Sequence, residues 1–251
     1  MANFYETDRA LSEYLLFHYG GASETLPNGG PADALFYPVR CVSECLEQGQ
    51  LPIRARALDL GCAVGRSTFE LARHCAEVIG IDQSHRFIET ATRIAKDGAL
   101  VYSYLEEGEL RREATALLPP EIDRARVSFE QGNAQELRPD LGQFDAVLLA
   151  NLIDRLPRPG AFLEQLHALL RAGGQLIITS PYTWLTEYTP SVNWLGGFER
   201  NGQAVHTFDT LQAILGPNFE LAQRKNLPFI IREHARKYQW SVAEATVWVR
   251  K

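Results

Sequence analysis

From residue 55 onward, apolar runs of strand length alternate with stretches whose apolar positions recur at helical spacing. ALDL (57–60), EVIGID (77–82), RVSFEQG (126–132), FDAVLLAN (144–151) and GQLIITS (174–180) predict five strands. GRSTFELARHC (65–75), HRFIETATRIAKDG (85–98) and AFLEQLHALLRAGG (161–174) predict the helices between them. Ser84 caps the second of these and Gly98 stops it, while Gly173 and Gly174 end the third. A short helix over DTLQAILG (209–216) precedes two last strands, FELAQRKNLPFII (219–231) and AEATVWVR (243–250). With no long helix between them, that pair predicts an antiparallel addition. Strand–helix alternation predicts an α/β fold with a mainly parallel, doubly wound sheet of seven strands, the last antiparallel.

Ahead of this core, Leu11, Tyr14, Leu15 and His18 fall at helical spacing within Tyr5–Tyr19, and Gly20 with Gly21 stops the pattern. After the loop TLPNGGP, Pro38 suits the first position of a second helix running to Gly49. The chain therefore reads as one domain, residues 1–251. Its parts are a helical cap (1–50), a core (55–180), an insertion (181–208) and C-terminal strands (209–251). Two stretches break the alternation, 99–125 and 181–208, and loops this long in a compact domain are functional or disordered. The second holds Tyr182, Trp184, Tyr188 and Trp194, too many aromatics for disorder, and reads as a lid.

Composition narrows the partners. At 45% hydrophobic and 22% charged residues, with no apolar run of membrane-spanning length, the chain reads as soluble and globular. The start, MANFYETDRA, is polar and acidic, unlike a secretory signal. A net charge of −6 without a basic stripe argues against nucleic acid or an anionic membrane as partner. Cys41 and Cys45 lie one helical turn apart, but no nearby His or Cys completes a zinc set, so no metal is expected. Reduced thiols point to the cytoplasm, elimination points to a small-molecule partner, and a monomer or weak homodimer is expected.

The chemistry begins at ARALDLGCAVGRST (55–68), a strand running into a glycine turn and then a helix. A dinucleotide turn needs G-x-G-x-x-G, and from Gly61 those places hold Ala63 and Arg66. This opposes a nicotinamide oxidoreductase. A phosphate-binding loop needs a Gly-Lys-Ser/Thr ending, which is absent. What stands there is D-x-G-x-x-x-G, from Asp59 through Gly61 and Cys62 to Gly65. About 20 residues on, Asp82 ends the second strand, where an acidic group accepts hydrogen bonds from ribose hydroxyls. The turn offers a ribose partner without a pyrophosphate cradle.

That pattern resembles the S-adenosylmethionine-dependent methyltransferases of Rossmann-like fold. The resemblance implies that Asp59, Gly61, Cys62 and Gly65 form the turn beside the methionyl part of the cofactor. It also implies that Asp82 binds the ribose and Gln83 flanks the adenine. Gly132, Asn133 and Ala134 match the turn that reads adenine, although the family usually has an acidic residue where Asn133 stands. The amide oxygen of Asn133 can still accept from the exocyclic amine.

Outside the cofactor half, YETDRALSEYLLFHYG, FYPVRC, RALDLGCAVGRSTFELAR, ANLIDRLP, SPYTWLTEYTP and LPFIIREHARKYQWSVAEATVW resemble a narrower family, the methyltransferases of ovothiol biosynthesis. These occur alone or as the C-terminal domain of 5-histidylcysteine sulfoxide synthase, and methylate an imidazole nitrogen of 5-thiohistidine (4-mercaptohistidine). The match runs from residue 5 to the C-terminus, and the chain looks like the stand-alone form. A neutral imidazole already carries a lone pair, so orientation and exclusion of water suffice without a strong base. Asn151, Asp154 and Tyr182 are the candidates to select the tautomer and hold the ring; Asn151 can instead serve the cofactor's amino group. Aromatic faces at Tyr37, Tyr182, Trp184 and Tyr188 can stabilise the cationic methyl. Arg155 and Arg232 are candidates for a substrate carboxylate, Arg40 for the substrate's or the cofactor's, and His234 for a further substrate contact. Another small-molecule acceptor, or cofactor binding without catalysis, remains the alternative.

Overall fold

The computed structural model describes residues 4–26 and 29–251. Residues 1–3, and Pro27 and Asn28 of the expected loop, lie outside it. The chain begins with α1 (Asp8–Tyr19), α2 (Ala22–Thr25) and α3 (Tyr37–Ser43). It continues through β1 (Arg56–Leu60), α4 (Arg66–Leu71), β2 (Glu77–Asp82), α5 (His85–Asp97), β3 (Ala99–Glu107), β4 (Leu110–Leu117), β5 (Val127–Gln131) and β6 (Phe144–Ala150). Then follow α6 (Pro159–Gln165), β7 (Leu170–Ser180), β8 (Phe198–Arg200), β9 (Gln203–Val205), α7 (Thr207–Leu215), β10 (Phe219–His234) and β11 (Lys237–Arg250).

Seven strands form one sheet in the order β10-β11-β7-β6-β1-β2-β5. From β5 to β7 neighbours pair parallel, while β11 pairs antiparallel with both β7 and β10. Alternation along each strand sends successive side chains to opposite faces. Ala57, Val78, Ala146, Leu148 and Ile177 pack under α1, α3, α4 and α5. Leu58, Leu60, Ile79, Val147, Leu149 and Ile178 pack under α6 and α7. The central strands are buried on both sides, which explains their continuous apolar sequence.

Several expectations about the elements change. The helix over 161–174 ends early: α6 stops at Gln165, a 3-10 turn covers Leu166–Leu169, and β7 starts at Leu170. The two glycines sit in a bulge where pairing with β6 jumps from Phe144↔Leu170 to Ala146↔Gln175. The stretch 99–125 holds an antiparallel hairpin, β3–β4, braced on α1 through Ser12 Oγ donating to the Ser103 carbonyl at 2.6 Å. The insertion 181–208, read from its sequence as a lid, is packed down along most of its length, with Tyr188 against Tyr5 and Arg155. It docks on the α6–α7 side, where Trp184 Nε1 donates to Thr207 Oγ1 at 3.1 Å and Thr189 Oγ1 to the Leu156 carbonyl at 2.7 Å.

The cap helix α1 starts at Asp8, capped by Thr7, whose side chain accepts from the Ala10 amide. It ends with Tyr19, whose hydroxyl donates to the Val64 carbonyl at 2.7 Å, tying the cap to the glycine turn. The second cap helix is shorter than its pattern suggested, closing at Ser43 rather than Gly49.

Candidate functional site

The carboxyl ends of β1, β2, β5 and β6 open into one cavity of about 180 Å³, roofed by α1. At its floor the chain turns sharply after Leu60. The amides of Gly61 and Cys62 donate to the Ile81 carbonyl at 2.8 and 3.2 Å. Gly61 sits at φ +74°, where a side chain would strain the backbone and stand 3.0 Å from Leu152 Cδ1. Ala63 takes a left-handed conformation too, φ 47°, and its amide donates to Asp82 Oδ2 at 3.0 Å. Gly65 does not line the cavity. A Cβ there would lie 2.5 Å from Phe129 Cζ, so its role is close packing at the start of α4.

Two carboxylates face this turn, Asp59 buried and Asp82 half-buried. Asp59 Oδ2 accepts from Thr68 Oγ1 at 2.7 Å, while Oδ1 is sealed from solvent with no partner. Burial raises its pKa to about 7, against the Thr68 hydrogen bond and with help from Asp82. Asp82 Oδ1 accepts from the Ser84 amide at 2.8 Å, and burial raises this carboxyl to about 6 despite its amide donors. Gln83, Gly132, Asn133 and Ala134 line the same space. Asn133 Oδ1 accepts from the Gln135 amide at 3.0 Å in a local turn, so the oxygen assigned to an exocyclic amine already has one donor.

Beyond β6, Asn151 adopts φ 53° and lines the cavity. Its Oδ1 lies 2.7 Å from the Tyr37 hydroxyl, which also contacts Thr179 Oγ1 at 2.7 Å. Arg155 reaches the cavity from the loop after β6. Its Nη1 donates to Asp154 Oδ2 at 3.0 Å and to the Thr183 carbonyl at 2.9 Å, and its Cζ lies 4.9 Å from the Tyr188 ring centroid. Tyr5 stands beside both Arg155 and Tyr188.

Other expected site residues lie elsewhere. Asp154 is fully buried outside the cavity lining, with Oδ2 holding Arg155 and the Thr183 amide; burial raises its pKa, with Arg155 opposing. The Tyr182 hydroxyl donates to Glu244 Oε2 at 2.8 Å, away from the cavity. Tyr188 reaches only the rim, through Arg155. Arg40 bonds Glu44 and the Asp33 and Pro228 carbonyls. Arg232 is buried, held by Glu106 and the Glu24 carbonyl over the Tyr104 ring. His234 sits at the β10–β11 turn, accepting from the Arg236 amide. Each of these polar groups bonds its own neighbourhood, which segment-level reasoning does not show.

The roof holds residues that the sequence pattern marked only as helical or did not single out. Tyr14, Phe17 and His18 of α1 line the cavity, with Phe87 of α5 beside them. Tyr14 and Phe87 pack at 4.9 Å between ring centroids, and Phe17 stacks on Tyr37 at 5.9 Å. The only available signal was that amphipathic helical face, which reads alike over a core and over a cavity.

The methyltransferase domain family matches residues 58–178, the stretch that builds this floor. The magnesium-protoporphyrin O-methyltransferase of Rhodobacter capsulatus is 30% identical over 185 residues, covering 71% of this chain and 69% of that one. The chain belongs to the S-adenosylmethionine-dependent methyltransferases. A ubiquinone biosynthesis O-methyltransferase of Coxiella burnetii is 24% identical, and the methyltransferase described here spans 51% of its length. Among solved structures, an S-adenosylmethionine-dependent methyltransferase of Methanosarcina mazei superposes with a TM-score of 0.54 at 17% identity, covering 80% of this chain and 95% of that one. Magnesium protoporphyrin IX methyltransferase of Synechocystis, with bound S-adenosylmethionine, gives 0.51 at 18% identity, covering 85% and 76%.

The cavity of this methyltransferase fits its cofactor, S-adenosylmethionine. The unpartnered Asp59 Oδ1 is an acceptor awaiting a donor, as the cofactor's ammonium provides. Asp82 can take ribose hydroxyls on its remaining lone pairs, and Gln83 with the Gly132–Ala134 turn lines the space beside it. When bound, the cofactor supplies an electrophilic methyl group on a sulfonium. Among the described residues no helix is long and apolar enough to cross a membrane.

Proposed function

We propose that this methyltransferase acts on a ring nitrogen of 5-thiohistidine, giving the N-methylated amino acid ovothiol A. The observation that carries this reading is Arg155, a guanidinium fixed by Asp154 at the rim of an aromatic-roofed cavity. A planar guanidinium suits the carboxylate of an amino-acid substrate, and the roof suits a flat ring. The resemblance of both cap and C-terminal strands to the ovothiol methyltransferases supports the same acceptor.

The residues do what such a transfer asks. Asp59 binds the donor's ammonium, Asp82 its ribose, and Asn133 with Gln83 its adenine. Asn151, held by Tyr37, presents an amide to the reacting ring, and α1 excludes water. A neutral imidazole offers its lone pair without prior proton removal, and the product's cationic ring is balanced by its thiolate. The site needs orientation more than a base.

The test is incubation with S-adenosylmethionine and authentic 5-thiohistidine, followed by mass spectrometry. N-methylated thiohistidine and S-adenosylhomocysteine are expected in equal amounts. No product from thiohistidine, alongside turnover of another acceptor such as magnesium protoporphyrin, which one relative's name gives, rejects the assignment.

A further inference from the structure

The N-terminal helix does more than cover the site. Tyr14, Phe17 and His18 fall at i, i+3 and i+4, so one face of α1 carries all three into the cavity. His18 Nδ1 is sealed from solvent and has no hydrogen-bond partner. Nε2 bonds no other described residue and is not among the sealed atoms, so it is the open polar edge of a ring that lines the cavity. Tyr14 at 5.9 Å and Phe17 at 5.5 Å between centroids hold the imidazole from two directions.

Burial, with Arg66 adding to it, lowers the imidazole to about 3, so the ring is neutral near pH 7. A buried N–H without an acceptor is rarer than an unsatisfied acceptor, which places the single proton on Nε2. His18 thus points a neutral donor into a cavity that also takes a cationic cofactor. A protonated ring there would repel that cofactor.

We propose that α1 forms the acceptor-binding wall and that His18 is its specificity-determining contact, Nε2–H donating to an anionic or lone-pair heteroatom of a flat aromatic acceptor. A thiolate or ring nitrogen of a thioimidazole meets that description. An alkyl ammonium, which brings only donors, does not. The identity of the acceptor rests on the thiohistidine reading; the contact holds for any acceptor that is turned over.

The experiment compares wild type with His18→Phe, which keeps a ring and removes the donor, and with His18→Gln, whose amide Nε2 can restore it. His18→Phe is expected to raise the acceptor KM about tenfold or more, as loss of a hydrogen bond to a charged group does. Its kcat should change about threefold or less, and the Kd for S-adenosylhomocysteine, read by calorimetry, about twofold or less. His18→Gln should recover most of the KM. An unchanged acceptor KM in His18→Phe, or equal weakening of S-adenosylhomocysteine, overturns the inference. If wild type ignores thiohistidine and methylates another acceptor, the thiohistidine reading falls, and the same comparison with that acceptor decides His18. Should the variants not fold, imidazole ¹⁵N spectra of the wild-type complex with S-adenosylhomocysteine decide. The His18 Nε2 resonance shifts when the acceptor is added, and an unmoved resonance overturns the contact.

Discussion

Arg155 meets the cavity with a guanidinium whose Nη1 already serves Asp154 and the Thr183 carbonyl, so its direction is set before a ligand arrives. Arg155→Ala should raise the acceptor KM about 10- to 100-fold, the loss of a charge-assisted pair worth roughly 1.5–3 kcal/mol. Steady-state kinetics with S-adenosylmethionine saturating checks this. Tyr182 gives the opposite expectation. Its hydroxyl is committed to Glu244, so Tyr182→Phe should leave kcat within about twofold and lower Tm slightly, by the roughly 1 kcal/mol of one hydrogen bond. A large fall in kcat would return Tyr182 to the reacting centre. Asp59, Gly61, Asp82 and Asn151 were legible in the sequence because each ends a strand, and strand ends converge on one edge of such a sheet. Arg40, Arg232 and His234 were misread because membership of a distinctive segment says nothing about which way a long side chain points.

At the scale of elements, the alternation of strand and helix identified the sheet and its antiparallel end. The hairpin β3–β4 went unassigned although ALVYSYLEE alternates with period two and EEGEL turns it, because an insertion breaks the expected rhythm. Its placement explains its presence: it props the roof. Arg111 Nη2 donates to Ser12 Oγ at 2.8 Å and to the Ser103 carbonyl at 2.8 Å, joining β4, β3 and α1. Arg111→Ala should loosen that helix by about 1 kcal/mol. Hydrogen exchange should rise across residues 8–19 while β1 and β6 stay protected. Equal protection in variant and wild type would show the brace to be dispensable. The bulge in β7 was missed for a related reason, since a glycine pair looks alike at a helix stop and in a kinked strand.

Across the whole molecule, two desolvated carboxyls at the cavity floor oppose folding once ionised. The folded-state pKa of about 7 for Asp59 and about 6 for Asp82 lie above the ordinary 3.8, so the folded chain binds more protons than the unfolded one between those values. That contribution to stability is fully present below the unfolded value and lost as pH rises through the folded ones. His18, lowered to about 3 from 6.5, runs the other way and gains stability as pH rises toward 6.5. Comparing Asp59→Asn with wild type isolates one group. The variant's Tm relative to wild type should climb from about pH 4 to about pH 7 and level off above that, while its affinity for S-adenosylhomocysteine falls. A pH-independent difference would mean that Asp59 titrates normally.

The Tyr19 hydroxyl, bonded to the Val64 carbonyl, joins roof and floor in one mechanical unit. A ligand that settles α1 therefore also steadies the glycine turn at the cavity floor, and the two occupants are expected to bind cooperatively. Thermodynamic linkage makes that help mutual: whatever factor one lends the other must be returned in equal measure. Tyr19→Phe should bring the factor toward unity, with each ligand's separate affinity less affected, as paired titrations in either order can read.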